Sequence, residues 1–329
     1  MPRMFMLLAL CACFSCTRKG TEGCFPAAYL PENITPLTSF GARAEWSLDG
    51  KTVFFVDRAG GEIWMVDLKT KKTRQLSVAS FRPEGHGYYR ILCLANGDFL
   101  LTCGSDRRST YIQIWDKSMK KLPVSLNVEI NEGPAVSRKT MKIAWTERQE
   151  TIWLGEIVYN NGRPEIINRR QIIDNKNVVV DGIKYQGMLE PQNFRPGKED
   201  ELIWSQYGGD TTGMFTCEVM GYDISTGTMT NYSKAPGQYD EPEGVFPDGI
   251  YTLVECDHHN RRGTGYIDLY KLKLDGTGQD YTRLTFFNDV EGFRASNPVV
   301  RDDGKMIAFQ ASLSGSEAGV GCGLYLCQL

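Results

Sequence analysis

From residue 41 onward the chain is written in short stretches whose apolar positions fall two apart, as in Val53 and Phe55 or Ile63 and Met65. Half-buried β-strands require that period, and no stretch carries the 3.6-residue apolar period of a packed helix. Turn chemistry punctuates the stretches at Asp49-Gly50, Asn96-Gly97, Gly197, Asp248-Gly249 and Asp303-Gly304. A unit of four strands recurs. Its first copy is WSLDGKTVFFVD (46–57) followed by GGEIWMVDLKTKKTRQLS (60–77): strand, Asp-Gly turn, strand, loop, strand, polar turn, strand. Later copies span 90–126, 133–173, 189–233 and 240–287, and a sixth begins at 295.

The turn glycines at 50, 97, 197, 249 and 304 are 47, 100, 52 and 55 residues apart, the second interval being two periods with a degenerate turn near Thr140. A period near 50 with four strands per unit predicts an all-β fold, a six-bladed β-propeller of four-stranded blades. The sixth copy stops after its third strand, GCGLYLCQL. The missing strand stands at the other end of the chain, where ITPLTSF (34–40) ends like TRLTFF (282–287), the outer strand of the fifth copy. The ring is therefore expected to be closed by an N-terminal strand, residues 34–38 pairing with about 323–328, which leaves no terminal edge unpaired.

These motifs resemble the propeller of the TolB family and its relatives, the WD40-like (PD40-type) repeats of bacterial envelope proteins. The carrying residues are WSLDGKTVFFV, IWMVDLKTKKTRQLS, YKLKLDGTGQDYTRLT and SNPVVRDDGKMIAF. The resemblance covers residues 34–329 and is strongest in copies one, five and six. It implies the fold and an envelope setting and says little of the activity. The domain that precedes the propeller in TolB has no counterpart in residues 17–33, so a role in the Tol machinery is not implied.

Residues 1–16, MPRMFMLLALCACFSC, read as a lipoprotein signal peptide: Arg3, then an apolar run from Met4 to Ala12, too short to span a bilayer. Cys16 is the expected lipidation site because it leaves the longer apolar run. Cys13, with Leu10 and Ala12 before it, is the alternative, and a cleaved signal without lipid is a third. The expected organisation is signal peptide 1–16, linker 17–33 and propeller 34–329. The protein is expected to be exported and lipid-anchored to the cell envelope, in the periplasm or on the outer-membrane surface, touching the membrane only through its lipid.

Composition changes little. At 41% hydrophobic and 23% charged the chain has ample core, and a net charge of −3 lacks the basic excess of a nucleic-acid binder. Seven cysteines follow position 16: Cys24, Cys93, Cys103, Cys217, Cys256, Cys322 and Cys327. The odd number and irregular spacing point to buried free thiols on strands rather than a disulfide framework. A two-residue Asn96-Gly97 turn would set Cys93 opposite 100, so Cys93 and Cys103 would not face each other.

In a propeller the loops leading into the innermost strands and the loops joining strands two and three share one face. There the sequence places Glu190, Gln192, Glu241, Glu243 and Asn297 on the first set, and Asp257, His258 and Arg262 on the second. These are the expected ligand-binding residues, around the mouth of the central channel. The recurrence of Glu190-Pro191 and Glu241-Pro242-Glu243 at one repeat position suits cation or sugar-hydroxyl ligation, or bonding to strand ends. No catalytic residue, cofactor or metal is expected. The three histidines, His86, His258 and His259, are few for a metal site, there is no GxSxG elbow, and GGDTTG (208–213) is an inter-strand loop. The expected activity is non-catalytic binding of an envelope protein or a glycan by a monomer, without nucleic acid. The alternative is a polysaccharide-active enzyme similar to oligogalacturonate lyases, and a bare structural scaffold is a third possibility.

Overall fold

The computed structural model describes residues 24–131, 133–209, 213–317 and 319–329; the leader with Cys13 and Cys16 lies outside the described residues. Six antiparallel four-stranded sheets follow one another along the chain: blade 1 (42–75), blade 2 (87–130), blade 3 (135–174), blade 4 (189–231), blade 5 (240–283) and blade 6 (293–328 with 34–36). No α-helix occurs among the described residues. A small hairpin, Val179–Val180 with Ile183–Lys184, interrupts the connection between blades 3 and 4.

Among the described residues, six large apolar clusters, one at each junction between neighbouring blades, ring the core, and a smaller one of Tyr207, Cys217, Tyr239 and Ile267 adds to the junction of blades 4 and 5. This explains why the second strand of blade 1, Thr52–Val56, is apolar almost throughout. Val53 and Phe55 pack toward blade 6, while Phe54 and Val56 pack toward blade 2. Successive side chains of a strand leave on opposite faces, and both faces of a blade are covered. Trp46, Trp115, Trp145 and Trp204 are fully buried in this ring.

The last blade closes as expected. Ile34–Pro36 pairs antiparallel with Leu324–Gln328, in the register Ile34↔Cys327, Thr35↔Leu326 and Pro36↔Tyr325. The fastening extends further back than the sequence indicated. Residues 24–33, expected as linker, are held against blade 6 by a Cys24–Cys322 disulfide and by Phe25, which stacks on Phe287 with its ring centroid 3.9 Å away. The Phe25 amide also donates to Tyr325 Oη at 3.0 Å.

The disulfide corrects the expectation of free thiols throughout. Cys93, Cys103, Cys217, Cys256 and Cys327 are free and buried, but Cys24 and Cys322 are joined, with Cα atoms 5.7 Å apart. Sequence spacing could not reveal this pair, because ring closure brings together positions 298 residues apart. The Asn96-Gly97 hairpin loop is also one residue longer than expected. Leu94 N donates to Asp98 O and Cys93 pairs with Phe99, so the loop has three residues, with Gly97 at φ +90°. Cys103 pairs with Tyr88, and the two thiols stay apart.

Candidate functional site

The innermost strands of five blades break register in mid-strand, between Ala42 and Glu45, Tyr88 and Arg90, Pro191 and Asn193, Pro242 and Gly244, and Ser296 and Val299. A β-bulge leaves its extra residue without a ladder partner and turns the side chain out of the regular alternation. The residues so released include Arg43, Gln192, Glu243 and Asn297, and all four line the central channel. Arg43 and Asn297 adopt left-handed backbone, φ +57° and +47°, to do so. The repeated Glu-Pro dipeptides are the local cause in blades 4 and 5. Proline has no N–H for the ladder and is tolerated in sheets at bulges, and Pro191 and Pro242 each stand immediately before one.

Arg43, Arg90 and Glu243 form a waist shared by two cavities. One, of about 330 Å³, is a cup holding Glu190, Glu241, Glu255, Tyr207, Tyr239 and Asn297. Inside it the carboxyl oxygens of Glu241, Glu243 and Glu255 lie within 4.8 Å of one another, all three buried. Glu241 and Glu255 are directly paired across the first two strands of blade 5. Asn297 ties two of the three together: its Nδ2 donates to Glu243 Oε1 at 3.0 Å and its backbone N to Glu255 Oε1 at 2.6 Å. Arg90 Nη1 stands 3.9 Å from Glu243 Oε2.

Burial pushes each of these three carboxyls up to about 8. The negative charges around Glu241 add to the effect, whereas Arg90 opposes it at Glu243 and the Asn297 amide opposes it at Glu255. The hydrogen bonds agree. Tyr207 Oη lies between Glu190 Oε2, at 2.9 Å, and Glu241 Oε1, and Tyr239 Oη bonds Glu241 Oε2. A phenol has one proton to give, so of two carboxyls meeting at one hydroxyl, one must carry its own proton.

An aromatic wall flanks the carboxyls. Phe215, 41% exposed, stacks on Tyr207 with ring centroids 5.3 Å apart and an interplanar angle of 15°, and Tyr239 lies 6.1 Å beyond it. On another side Arg43 lies against Gly319, where a Cβ would fall 1.9 Å from Arg43 Nη2. Glycine there is what lets the guanidinium reach the cup.

The expected site residues divide. Glu190, Glu241, Glu243 and Asn297 converge in the cup, though they stand on the strands Leu189–Arg195, Asp240–Val245 and Phe293–Val300 rather than on the loops before them. Gln192 faces the other cavity and donates from Nε2 to Ser205 Oγ at 3.0 Å. Asp257, His258 and Arg262 do not line the cup, which corrects their expected place at the channel mouth. Their loop folds onto its own blade. Buried Asp257 accepts from Tyr239 N and Gly263 N, His258 stacks on Tyr281 at 5.0 Å, and Arg262 covers Tyr266, its Cζ 3.6 Å from the ring centroid. Sequence reasoning missed Glu255, Tyr239, Phe215, Arg90 and Arg294 as lining residues. Only Glu255 carried a signal, since the hairpin around Gly249 sets it opposite Glu241.

The face with the Asp-Gly turns is also more structured than expected. It holds the second cavity, of about 160 Å³, walled by Trp46, Leu92, Val136, Phe194, Val245 and Val299. Arg138 lies across it, bonded to Glu45 and Asp302.

No family profile and no curated protein matches this sequence. Solved structures do match. A protein assigned as TolB from Agrobacterium tumefaciens aligns with TM-score 0.55 at 12% identity, over 78% of this chain and 79% of that one. A gluconolactonase from Xanthomonas campestris aligns with TM-score 0.54 at 14% identity, over 90% and 89%. A puromycin-hydrolysing peptidase from Mycobacterium tuberculosis aligns with TM-score 0.50 at 15% identity, over 82% of this chain but 40% of that longer one. The TolB-type propeller resemblance thus holds at the level of fold, and one fold serves proteins of differing activity.

Proposed function

We propose that this protein is a non-catalytic binding protein of the cell envelope that takes the end of a glycan into the cup of its propeller. The observation that carries the reading is the pairing of an aromatic wall, Phe215 over Tyr207, with converging carboxyl, amide and guanidinium groups in one cavity of about 330 Å³. A sugar ring offers an apolar C–H face for the wall and hydroxyls for the polar groups, and the volume is within the usual range of about 300–1,000 Å³ for small-ligand sites. A protein partner presenting a side chain to the same cup is the other form of this reading. Export is supported by the leader sequence and by the Cys24–Cys322 bond, a linkage that persists in oxidising compartments. The lyase-like alternative receives no support from the histidines, none of which is among the cup-lining residues.

The test is a titration of the purified protein against a panel of envelope and plant-wall oligosaccharides. Saturable binding that Phe215→Ala weakens about tenfold, without loss of fold, supports the reading. A panel with no ligand, or binding indifferent to Phe215→Ala and Glu190→Gln alike, overturns it.

A further inference from the structure

We propose that Glu241, Glu243, Glu255 and Asn297 form a binding site for a divalent cation of the calcium class at the base of the cup. Two independent observations support it. The first is spacing: one oxygen from each carboxyl lies within 4.8 Å of the others, a span that oxygens at about 2.3–2.6 Å from a shared Ca²⁺ can bridge.

The second is the Asn297 amide. This residue is 7% exposed and its Oδ1 has no hydrogen-bond partner among the described residues. Its Nδ2 and backbone N are committed to Glu243 and Glu255, which fixes the side chain within the carboxyl cluster it lines the cup with. A buried carbonyl oxygen left without a donor is costly. A cation among the four oxygens removes that penalty.

The donor set is oxygen only, carboxylates with an amide carbonyl, which suits hard ions such as Ca²⁺, Mg²⁺ or Mn²⁺ rather than zinc or copper. All four ligands come from blades 5 and 6, so the ion's remaining positions face the cup, where hydroxyls of a bound sugar can complete its shell. The proposal concerns the same cup as the glycan reading but does not depend on it.

The experiment is calorimetric titration of the purified, EDTA-treated protein with CaCl₂, MgCl₂ and MnCl₂ in turn, with melting curves in parallel. We expect one ion per chain, tightest for calcium, and a melting temperature that rises with its concentration. Glu255→Gln should lower affinity about a hundredfold and Asn297→Ala about tenfold, while Asn297→Asp, which keeps an oxygen donor, retains binding. No binding of any of the three ions at millimolar concentration overturns the proposal, as does parental affinity in both Glu255→Gln and Asn297→Ala. Should Glu255→Gln fail to fold, the Asn297→Ala and Asn297→Asp pair decides. The oligosaccharide titration repeated in EDTA separates the two readings: glycan binding without metal binding overturns the cation site alone, and metal binding without a glycan overturns the glycan reading alone.

Discussion

Arg138 and Asp302 meet across the ring, Nη2 to Oδ2 at 2.8 Å, although one belongs to blade 3 and the other to blade 6 on the opposite side. The same guanidinium donates from Nη1 to Glu45 Oε1 at 2.7 Å and to Trp46 O at 3.2 Å, both on blade 1. One side chain therefore bars the channel on the face with the Asp-Gly turns and links three blades that share no strand.

The two arms of this bar should be unequal. Asp302 is nearly half exposed, and water screens its pair with Arg138; Glu45 is buried, and its carboxyl also accepts the Cys93 amide at 3.0 Å. Asp302→Ala should cost under about 1 kcal/mol, as exposed pairs do. Arg138→Met leaves Glu45 without its counter-charge and should cost about 3 kcal/mol. Denaturant unfolding of the two variants checks the order. A larger loss in Asp302→Ala would mean that the cross-channel arm dominates.

The same pair sets a pH dependence. Burial raises the Glu45 carboxyl above its usual range, and Arg138 is the chief group pulling it back down. A raised folded-state value means the stability contribution is complete below the unfolded-state value, about 4.3, and is lost as pH rises through the folded one. Removing Arg138 raises the folded value further and deepens that loss. The destabilisation by Arg138→Met should therefore be larger at pH 8 than at pH 4.5. Equal losses at both pH values would show that Glu45 does not titrate against this arginine.

The ring closure makes a separate prediction. Converting both Cys24 and Cys322 to serine should cost about 2–5 kcal/mol yet leave the ring closed. The strand Ile34–Pro36 still pairs with blade 6, and Phe25 still packs on Phe287 and beside Phe293. Deleting residues 24–36 removes the bond, the strand and the aromatic contact together and should prevent cooperative folding. A deletion that melts like the double serine variant would assign the closure to the disulfide alone.

How much of this was legible beforehand follows from the range of each interaction. The blades, their number and the closing strand could be read because period and turn chemistry are local and repeat: Asp49-Gly50, Asp248-Gly249 and Asp303-Gly304 mark the same hairpin three times. The carboxyls of the cup were legible for the same reason, since Glu-Pro recurs at one position. Glu255 and Phe215 were overlooked because each acts through cross-strand register, Glu255 opposite Glu241 and Phe215 diagonal to Tyr207. The Cys24–Cys322 bond and the Arg138 bar join residues 298 and 164 positions apart, and nothing in the sequence between them records the meeting. Asp257, His258 and Arg262 were misplaced because a polar loop can fold back on its own blade as readily as turn toward the channel.

The leader makes the last prediction. Residues 1–16 combine a short apolar run with cysteines at 11, 13 and 16, and the propeller's fastening begins only at Cys24. Between Cys16 and Cys24 stand seven residues, Thr17 to Gly23, mostly polar or glycine, and they can tether the ring to a membrane without entering it. Mass spectrometry of protein extracted from membranes should find Met1 to Ser15 removed and two or three acyl chains on Cys16, because a single chain anchors only marginally. Acylation at Cys13 instead would keep the anchor and move its site. Recovery of an unacylated, soluble protein from the producing cells would rule out lipid anchoring, and Cys16→Ala should abolish the acylation if that cysteine is the site.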